Sequence, residues 1–166
     1  GSWIGSSTEI KYTPAPLLRR SFSLSKPIQE ARAFMSGLGY YELQVNGRKV
    51  GEGVREPGYT RFDRRVLYNA YDITAFLNAG NNAVGAILGT GFLNPHVRAV
   101  WDFDRAPWRQ SPRLLLELRI TYKDGTTERV VSDNQWHTAP SPITFDGIHG
   151  GEFYDARLEK PGWSTA

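Results

Sequence analysis

Residues 92–112 hold the densest mixture of side chains able to do chemistry: Asn94, His96, Arg98, Trp101, Asp102, Phe103, Asp104, Arg105, Trp108 and Arg109. Aromatic plates beside amides, carboxylates and guanidinium forks suit a sugar, whose apolar C–H faces stack on a ring while its hydroxyls bond to Asp, Asn and Arg. Asn94, Arg98, Trp101, Asp102, Asp104 and Trp108 are the candidate ligand-binding residues. The competing reading has Trp101 and Trp108 closing over the end of a core or packing on a neighbouring domain. The rigid corner Ala106-Pro107-Trp108 favours that second reading. Under either, a loop this long inside a compact domain is usually functional or interfacial.

Catalysis needs a more specific constellation. Glycoside hydrolysis uses two carboxylates facing a cleft, one of raised pKa. Asp102, Asp104, Glu152 and Asp155 are the suggestive acids, and the first two are spaced as neighbours on one face of a strand. A lone pair of this kind is a weak signal, and a surface or salt-bridging role accounts for it better. His96, His137 and His149 have no Gly-x-Ser-x-Gly elbow to serve, and no two of them are close enough in sequence to suggest metal ligation. Gly89-Thr90-Gly91 lacks the Lys and the following helix of a phosphate loop, and fits the end of a strand. No catalytic residue, metal ligand or cofactor motif is assigned from the residues themselves.

Composition narrows the partners. The net charge is only +3, yet 15 of the 20 cations are Arg. Arg forks match carboxylates and stack on rings, which suits an acidic polysaccharide or a domain interface; scattered, paired surface arginines are the plainer account. No clustered basic stripe points to nucleic acid, and no apolar run nears the roughly 18 residues of a membrane span. The absence of Cys removes disulfides, thiolate metal sites and thiol nucleophiles together. No charged-then-apolar leader opens the chain, and Gly1-Ser2 reads as a tag remnant or as a cut made inside a longer protein, so export stays open.

The elements that must position the loop are strands. Tyr40 to Gly51 is the clearest: Leu43 and Val45 alternate with Glu42 and Gln44, Asn46-Gly47 turns the chain, and Val50 returns. Alternation also predicts strands over residues 18–24, 30–36, 65–71, 114–121 and 126–131, the last two joined by an Asp124-Gly125 turn. Residues 83–88 are apolar almost throughout, as in a strand covered on both faces. Between them, Asp72 or Thr74 can cap one helical turn with Ile73, Phe76 and Leu77 on one side, and Gly80 can end it. Residues 133–138 read as short and extended, and residues 148–158 as the last segment before Pro161-Gly162-Trp163. About ten strands without a crossover helix predict an all-β, antiparallel β-sandwich of jelly-roll type, a single domain over residues 1–166.

Four separated motifs add a family resemblance. Gly37-Leu38-Gly39-Tyr40-Tyr41-Glu42-Leu43 with Asn46-Gly47, then Pro57-Gly58-Tyr59-Thr60, then Trp101-Asp102-Phe103 with Ala106-Pro107-Trp108-Arg109, and finally Gly150-Gly151-Glu152-Phe153-Tyr154-Asp155-Ala156-Arg157 stand in order. Over residues 3–163 the chain resembles the N-terminal domain of bacterial α-L-rhamnosidases of glycoside hydrolase family 78. Asp72-Ile73-Thr74 through Gly80 and Asn82 is similar to a motif of galactose-binding-like jelly rolls in other glycosidases.

The resemblance implies an accessory domain of a larger inverting enzyme that removes terminal α-L-rhamnose from glycans. The general acid and base would lie on an (α/α)6 barrel outside this chain, so the implied partners are that barrel, other domains of the same protein and a rhamnose-containing glycan. An autonomous carbohydrate-binding module and a purely structural spacer are the alternatives. Calcium is the one ion implied, through similarity to calcium-dependent rhamnose-binding modules. Asn46 and Asn94 could lend amide oxygens to it, although Val45 beside Asn46 brings no carboxylate. The substrate class implies a periplasmic or secreted protein, and a cytoplasmic enzyme acting on imported oligosaccharides fits as well. Asp155 and Arg157 are expected to pair locally or across to the next domain rather than touch ligand.

Overall fold

The structure, a computed structural model, describes residues 1–98 and 100–166; Ala99, inside the long loop, lies outside them. Its strands in chain order are β1 (Pro16–Leu24), β2 (Ile28–Leu38), β3 (Tyr40–Val45), β4 (Arg48–Val50), β5 (Tyr68–Asp72), β6 (Gly80–Gly89), β7 (Arg113–Tyr122), β8 (Thr127–Val131), β9 (His137–Pro140), β10 (Ile143–Gly147) and β11 (Gly151–Tyr154). They form a five-stranded sheet β4-β3-β6-β1-β9, a four-stranded sheet β5-β2-β7-β8 and a separate β10-β11 ribbon. Every pairing is antiparallel.

Period-two alternation decides which side of each strand is buried. Leu114, Leu116, Leu118 and Ile120 of β7 and Ala31, Ala33 and Met35 of β2 face Leu43 and Val45 of β3 and Val84, Ala86 and Leu88 of β6 in one continuous core. The two sheets thus pack face to face as a jelly-roll sandwich, as the alternation predicts. Within the four-stranded sheet, Ala31 and Ala33 of β2 lie beside Ile120 and Leu118 of β7, so small and large side chains alternate across it.

Strand β6 is covered on its outer side as well, because Trp163 lies over Gly85. A Cβ at Gly85 would come within 2.5 Å of the indole, so the residue must be Gly if the ring is to sit there. Ser164 Oγ donates to Gln44 Oε1 at 2.7 Å and Arg19 donates to the Thr165 carbonyl at 2.8 Å, holding the last residues to the same face. The apolar run at 83–88 is thereby explained.

The Asn46-Gly47 turn has φ of 50° and 77°, the left-handed pair that a two-residue hairpin requires. Asn46 also acts through its side chain. Its Nδ2 donates to the Phe76 carbonyl at 2.9 Å and to Asn82 Oδ1 at 2.8 Å, and its Oδ1 accepts from Ala83 N–H at 2.8 Å. Fully buried Asn82 in turn accepts from Asn78 N–H and donates to the carbonyls of Asn78 and Gly80. Two amides therefore tie the hairpin, the helical turn at Thr74–Phe76 and the start of β6 into one unit.

Three expectations need correction. β5 begins at Tyr68 rather than residue 65, because Arg64 and Arg65 close a turn onto the Arg61 carbonyl. Residues 133–136 form a turn capped by the Asp133 carboxylate, and the extended segment is His137–Pro140. No side chain caps the helical turn from Ile73; Asp72 Oδ1 instead accepts from Thr74 N–H at 2.9 Å.

Replacing Asn82 by Ala would leave several buried backbone and amide groups without partners. Each such group costs about 1–3 kcal/mol, and with partial relaxation the variant should lose about 3 kcal/mol of stability. Urea unfolding of Asn82→Ala against the wild type checks this through the transition midpoint.

Candidate functional site

The long loop leaves the end of β6 and is built around two anchors. The first is Gly89-Thr90-Gly91. Thr90 donates its backbone N–H and its hydroxyl to Asp146 Oδ2 on β10, the latter at 2.8 Å. A Cβ at Gly89 would lie 3.2 Å from that carboxylate oxygen, so Gly allows the ribbon to approach closely. The motif is a strand end, as expected, and it clamps the β10-β11 ribbon onto the sandwich.

The second anchor is Arg109. Its guanidinium donates to Asn94 Oδ1 at 2.9 Å, to the Pro95 carbonyl at 3.1 Å and to the Asp104 carbonyl. Buried Asn94 completes the chain of bonds by donating to the Ile10 carbonyl at 2.8 Å. One planar fork thus joins both halves of the loop to the N-terminal segment.

Between these anchors an aromatic cluster forms. Phe103 is its hub, with ring centroids 5.3 Å from Tyr59, 5.2 Å from Phe92, 6.2 Å from Trp108 and 6.2 Å from Trp101. Trp108 is half-buried and packs with Phe62, Leu93 and Leu38, as the Pro107 corner suggests. Trp101 does the opposite: it is 81% exposed and stands edge-on to Phe103 at 87°.

The backbone at Trp101 is unusual. Trp101 and Asp102 have φ of 69° and 53°, in the left-handed region that side chains other than Gly, Asn and Asp seldom adopt. At Trp101 such a conformation costs about 1–2 kcal/mol, whereas Asp102 is of a type that adopts it more readily. Backbone strain of this sort concentrates at functional sites, where surrounding contacts hold it in place. Here the contacts are Phe103 packing and the Arg109 fork, and their result is a large aromatic ring held out from the surface.

The predicted binding residues separate accordingly. Trp101, Asp102 and Arg98 are exposed, and Asp104 is half-buried with its carbonyl bound to Arg109. Trp108 supports the cluster from below, and Asn94 lies beneath the surface with both ends of its amide engaged. Tyr59, 41% exposed, and Phe103 belong to the cluster but were not among the residues singled out for binding. The signal for Tyr59 was its Pro57-Gly58-Tyr59-Thr60 turn. Asp102 and Asp104 do not share a strand face, because Val100–Arg105 is helical with a kink at Trp101 and Asp102.

The two asparagines considered for calcium cannot share an ion. Val45 pairs with Val84 and Tyr40 with Gly89, so Asn46 and Asn94 lie at opposite ends of the five-stranded sheet. At about 3.3 Å per strand residue they are well over 10 Å apart. Both amide oxygens already accept hydrogen bonds, from Ala83 N–H and Arg109. Among the described residues no three His, Asp or Glu converge as a metal site. Asp155 pairs locally with Arg157 through two bonds of 2.8 and 2.7 Å.

A small polar pocket underlies the ribbon. His96 packs edge-on against Tyr12 at 5.0 Å, and Tyr12 OH donates to the Thr144 carbonyl while accepting from Asp146 N–H, both at 3.1 Å. Burial, then the Asp146 carboxylate, pushes the Tyr12 phenol up to about 12. Burial, then the Arg109 cation, holds the His96 imidazole below its ordinary value.

Residues 26–166 match the alpha-L-rhamnosidase N-terminal domain family, and the chain belongs to it. A Formosa agariphila alpha-L-rhamnosidase is 40% identical over 155 residues, covering 91% of this chain and 16% of its own. The structure of Streptomyces avermitilis alpha-L-rhamnosidase complexed with L-rhamnose superposes with a TM-score of 0.86 at 37% identity, over 92% of this chain and 15% of that one. For the Aspergillus terreus alpha-L-rhamnosidase the TM-score is 0.89 at 34% identity, over 96% and 18% of the two chains. The chain therefore spans about one sixth of the length of these relatives, and it corresponds to the N-terminal domain of alpha-L-rhamnosidases.

The His96 pocket makes a pH prediction. A histidine whose folded pKa is depressed is neutral when folded, so its contribution is present above the ordinary value near 6.5 and lost as pH falls through its folded pKa. Stability should fall between pH 7 and pH 5, and less steeply in His96→Phe. Urea midpoints of both proteins at the two pH values test it; equal slopes would remove His96 from the account.

Proposed function

We propose that residues 1–166 form one non-catalytic accessory domain of a longer α-L-rhamnosidase. In this reading the domain helps recognise a rhamnose-bearing glycan and packs on the catalytic (α/α)6 barrel and other domains of the same protein. The single observation that carries it is the Trp101 ring, 81% exposed and held out by a strained backbone on a Phe103 pedestal. An aromatic ring presented in this way offers a face to sugar C–H groups, with Asp102 next to it in the chain and exposed Arg98 in the same loop available for hydroxyls. Asp104 and Trp108 complete the site from within, and Asn94 serves it by fixing Arg109.

Family membership and the rhamnose complex of the Streptomyces avermitilis relative support L-rhamnose as the sugar. Recognition by the domain itself is favoured over a spacer role because a ring used only as filler would pack into the cluster, as half-buried Trp108 does. The role assigns no acid and base pair to the chain: Asp102 and Asp104 sit two apart on one kinked helical turn rather than facing each other across a cleft.

Calorimetric titration of the 166-residue chain with L-rhamnose and rhamnose-terminated oligosaccharides should give saturable binding. Trp101→Ala should weaken it by about 2 kcal/mol, roughly thirtyfold in Kd. The chain alone should leave an aryl α-L-rhamnoside intact. No heat at millimolar sugar would reject recognition, and hydrolysis by the pure chain would reject the accessory role.

A further inference from the structure

A groove of about 560 Å³ runs along the outer face of the five-stranded sheet, between the β10-β11 ribbon and the turn that follows β4. Tyr40 and Ile87 line its floor, Ile148 and Glu152 one wall, and Val54 and Arg55 the other. Tyr40 is seated there by Gly91, where a Cβ would come within 2.9 Å of the phenol ring. Val54 is 78% exposed and adds an aliphatic surface to the wall it shares with Arg55.

The polar groups of the groove divide into engaged and free. Glu42 is held by Lys49 at 2.9 Å, and Asp146 Oδ2 is taken by Thr90. The side chains of Arg55 and Glu152 are both exposed and form no hydrogen bond or ion pair among the described residues. An unengaged donor fork and an unengaged acceptor therefore face one groove, above an aromatic and an aliphatic surface. That combination matches a sugar ring, which presents apolar C–H groups together with hydroxyls that both donate and accept. With Glu42 paired to Lys49, Asp146 and Glu152 still outnumber Arg55 among the remaining charged lining residues, which disfavours a glycan carrying its own carboxylates.

The groove adjoins the aromatic cluster. His149 follows Ile148 in the ribbon turn and lies 6.1 Å from Phe92, which touches Phe103, the support of Trp101. We infer that the groove is a second sugar subsite, so that the domain binds a neutral oligosaccharide lying from the Trp101 plate across the ribbon turn to Tyr40, Arg55 and Glu152. The inference rests on the recognition role proposed above and extends it from a terminal sugar to a longer ligand. It also assigns work to the Gly150-to-Arg157 motif, whose Glu152 becomes a ligand contact.

Calorimetry of the full 166-residue chain separates the cases, with three probes: L-rhamnose, a neutral rhamnose-terminated tetrasaccharide and a tetrasaccharide of the same length bearing uronic acids. The neutral tetrasaccharide should bind about tenfold more tightly than L-rhamnose, and more tightly than the acidic one. The double variant Arg55→Ala, Glu152→Ala, which alters two exposed side chains and so leaves the core intact, should erase that gain while L-rhamnose affinity stays at the wild-type value. Equal affinity for L-rhamnose and the neutral tetrasaccharide overturns the subsite while leaving recognition at Trp101 standing. Preference for the acidic sugar overturns the neutral ligand class, and an unchanged gain in the double variant overturns the assignment of the groove. Binding of none of the three overturns the recognition role itself.

Discussion

The grip of Thr90 on Asp146 is the contact on which the site depends. It uses a backbone N–H and a hydroxyl on one carboxylate oxygen, at a strand end where flanking glycines let two segments meet. Charge-assisted bonds of this kind are about twice as strong as neutral ones, and here they join parts of the chain 56 residues apart. Tyr12 is the ribbon's other tether, through the Thr144 carbonyl and Asp146 N–H; without both, the β10-β11 ribbon would be a two-stranded hairpin alone, which is marginal in water. Its position fixes one wall of the groove and places His149 against Phe92, so groove and aromatic cluster share this support.

Sandwich and loop divide the labour in a physically simple way. The sandwich is closed by apolar alternation and by the Asn46–Asn82 amide pair, which keeps one end of the five-stranded sheet rigid. The other end carries the long excursion, where stability comes from one arginine and a set of ring contacts. The left-handed backbone at Trp101 and Asp102 is held from the residues that follow, by Phe103 packing and by the Arg109 bond to the Asp104 carbonyl. Recognition surfaces are commonly built this way, with a variable loop held by a scaffold.

Much of the fold was legible in sequence because the major strands bury one face and leave the other wet. Leu114 to Ile120 and Ala31 to Met35 announce themselves by period two, and the Asn46-Gly47 and Asp124-Gly125 turns set register. β10 was not legible: all five of its residues are half-buried, and a bulge between Ile143 and Phe145 breaks the alternation. The Asp102–Asp104 spacing misled for a related reason, since strand spacing has no meaning in a kinked helical turn. Opposite fates for Trp101 and Trp108 were also beyond the sequence. Composition gives two tryptophans in one loop, and only the backbone at Trp101 turns one of them outward.

The measurement that bears most directly on the account is the 1H–15N spectrum of the chain, in which 5 tryptophan indole N–H groups are available as reporters. On titration with L-rhamnose the Trp101 indole signal should move and saturate, while those of buried Trp136 and of Trp163 over Gly85 stay fixed. If the Trp101 signal stays in place while another indole shifts, sugar binds elsewhere, and the exposed ring is not the platform this account makes it.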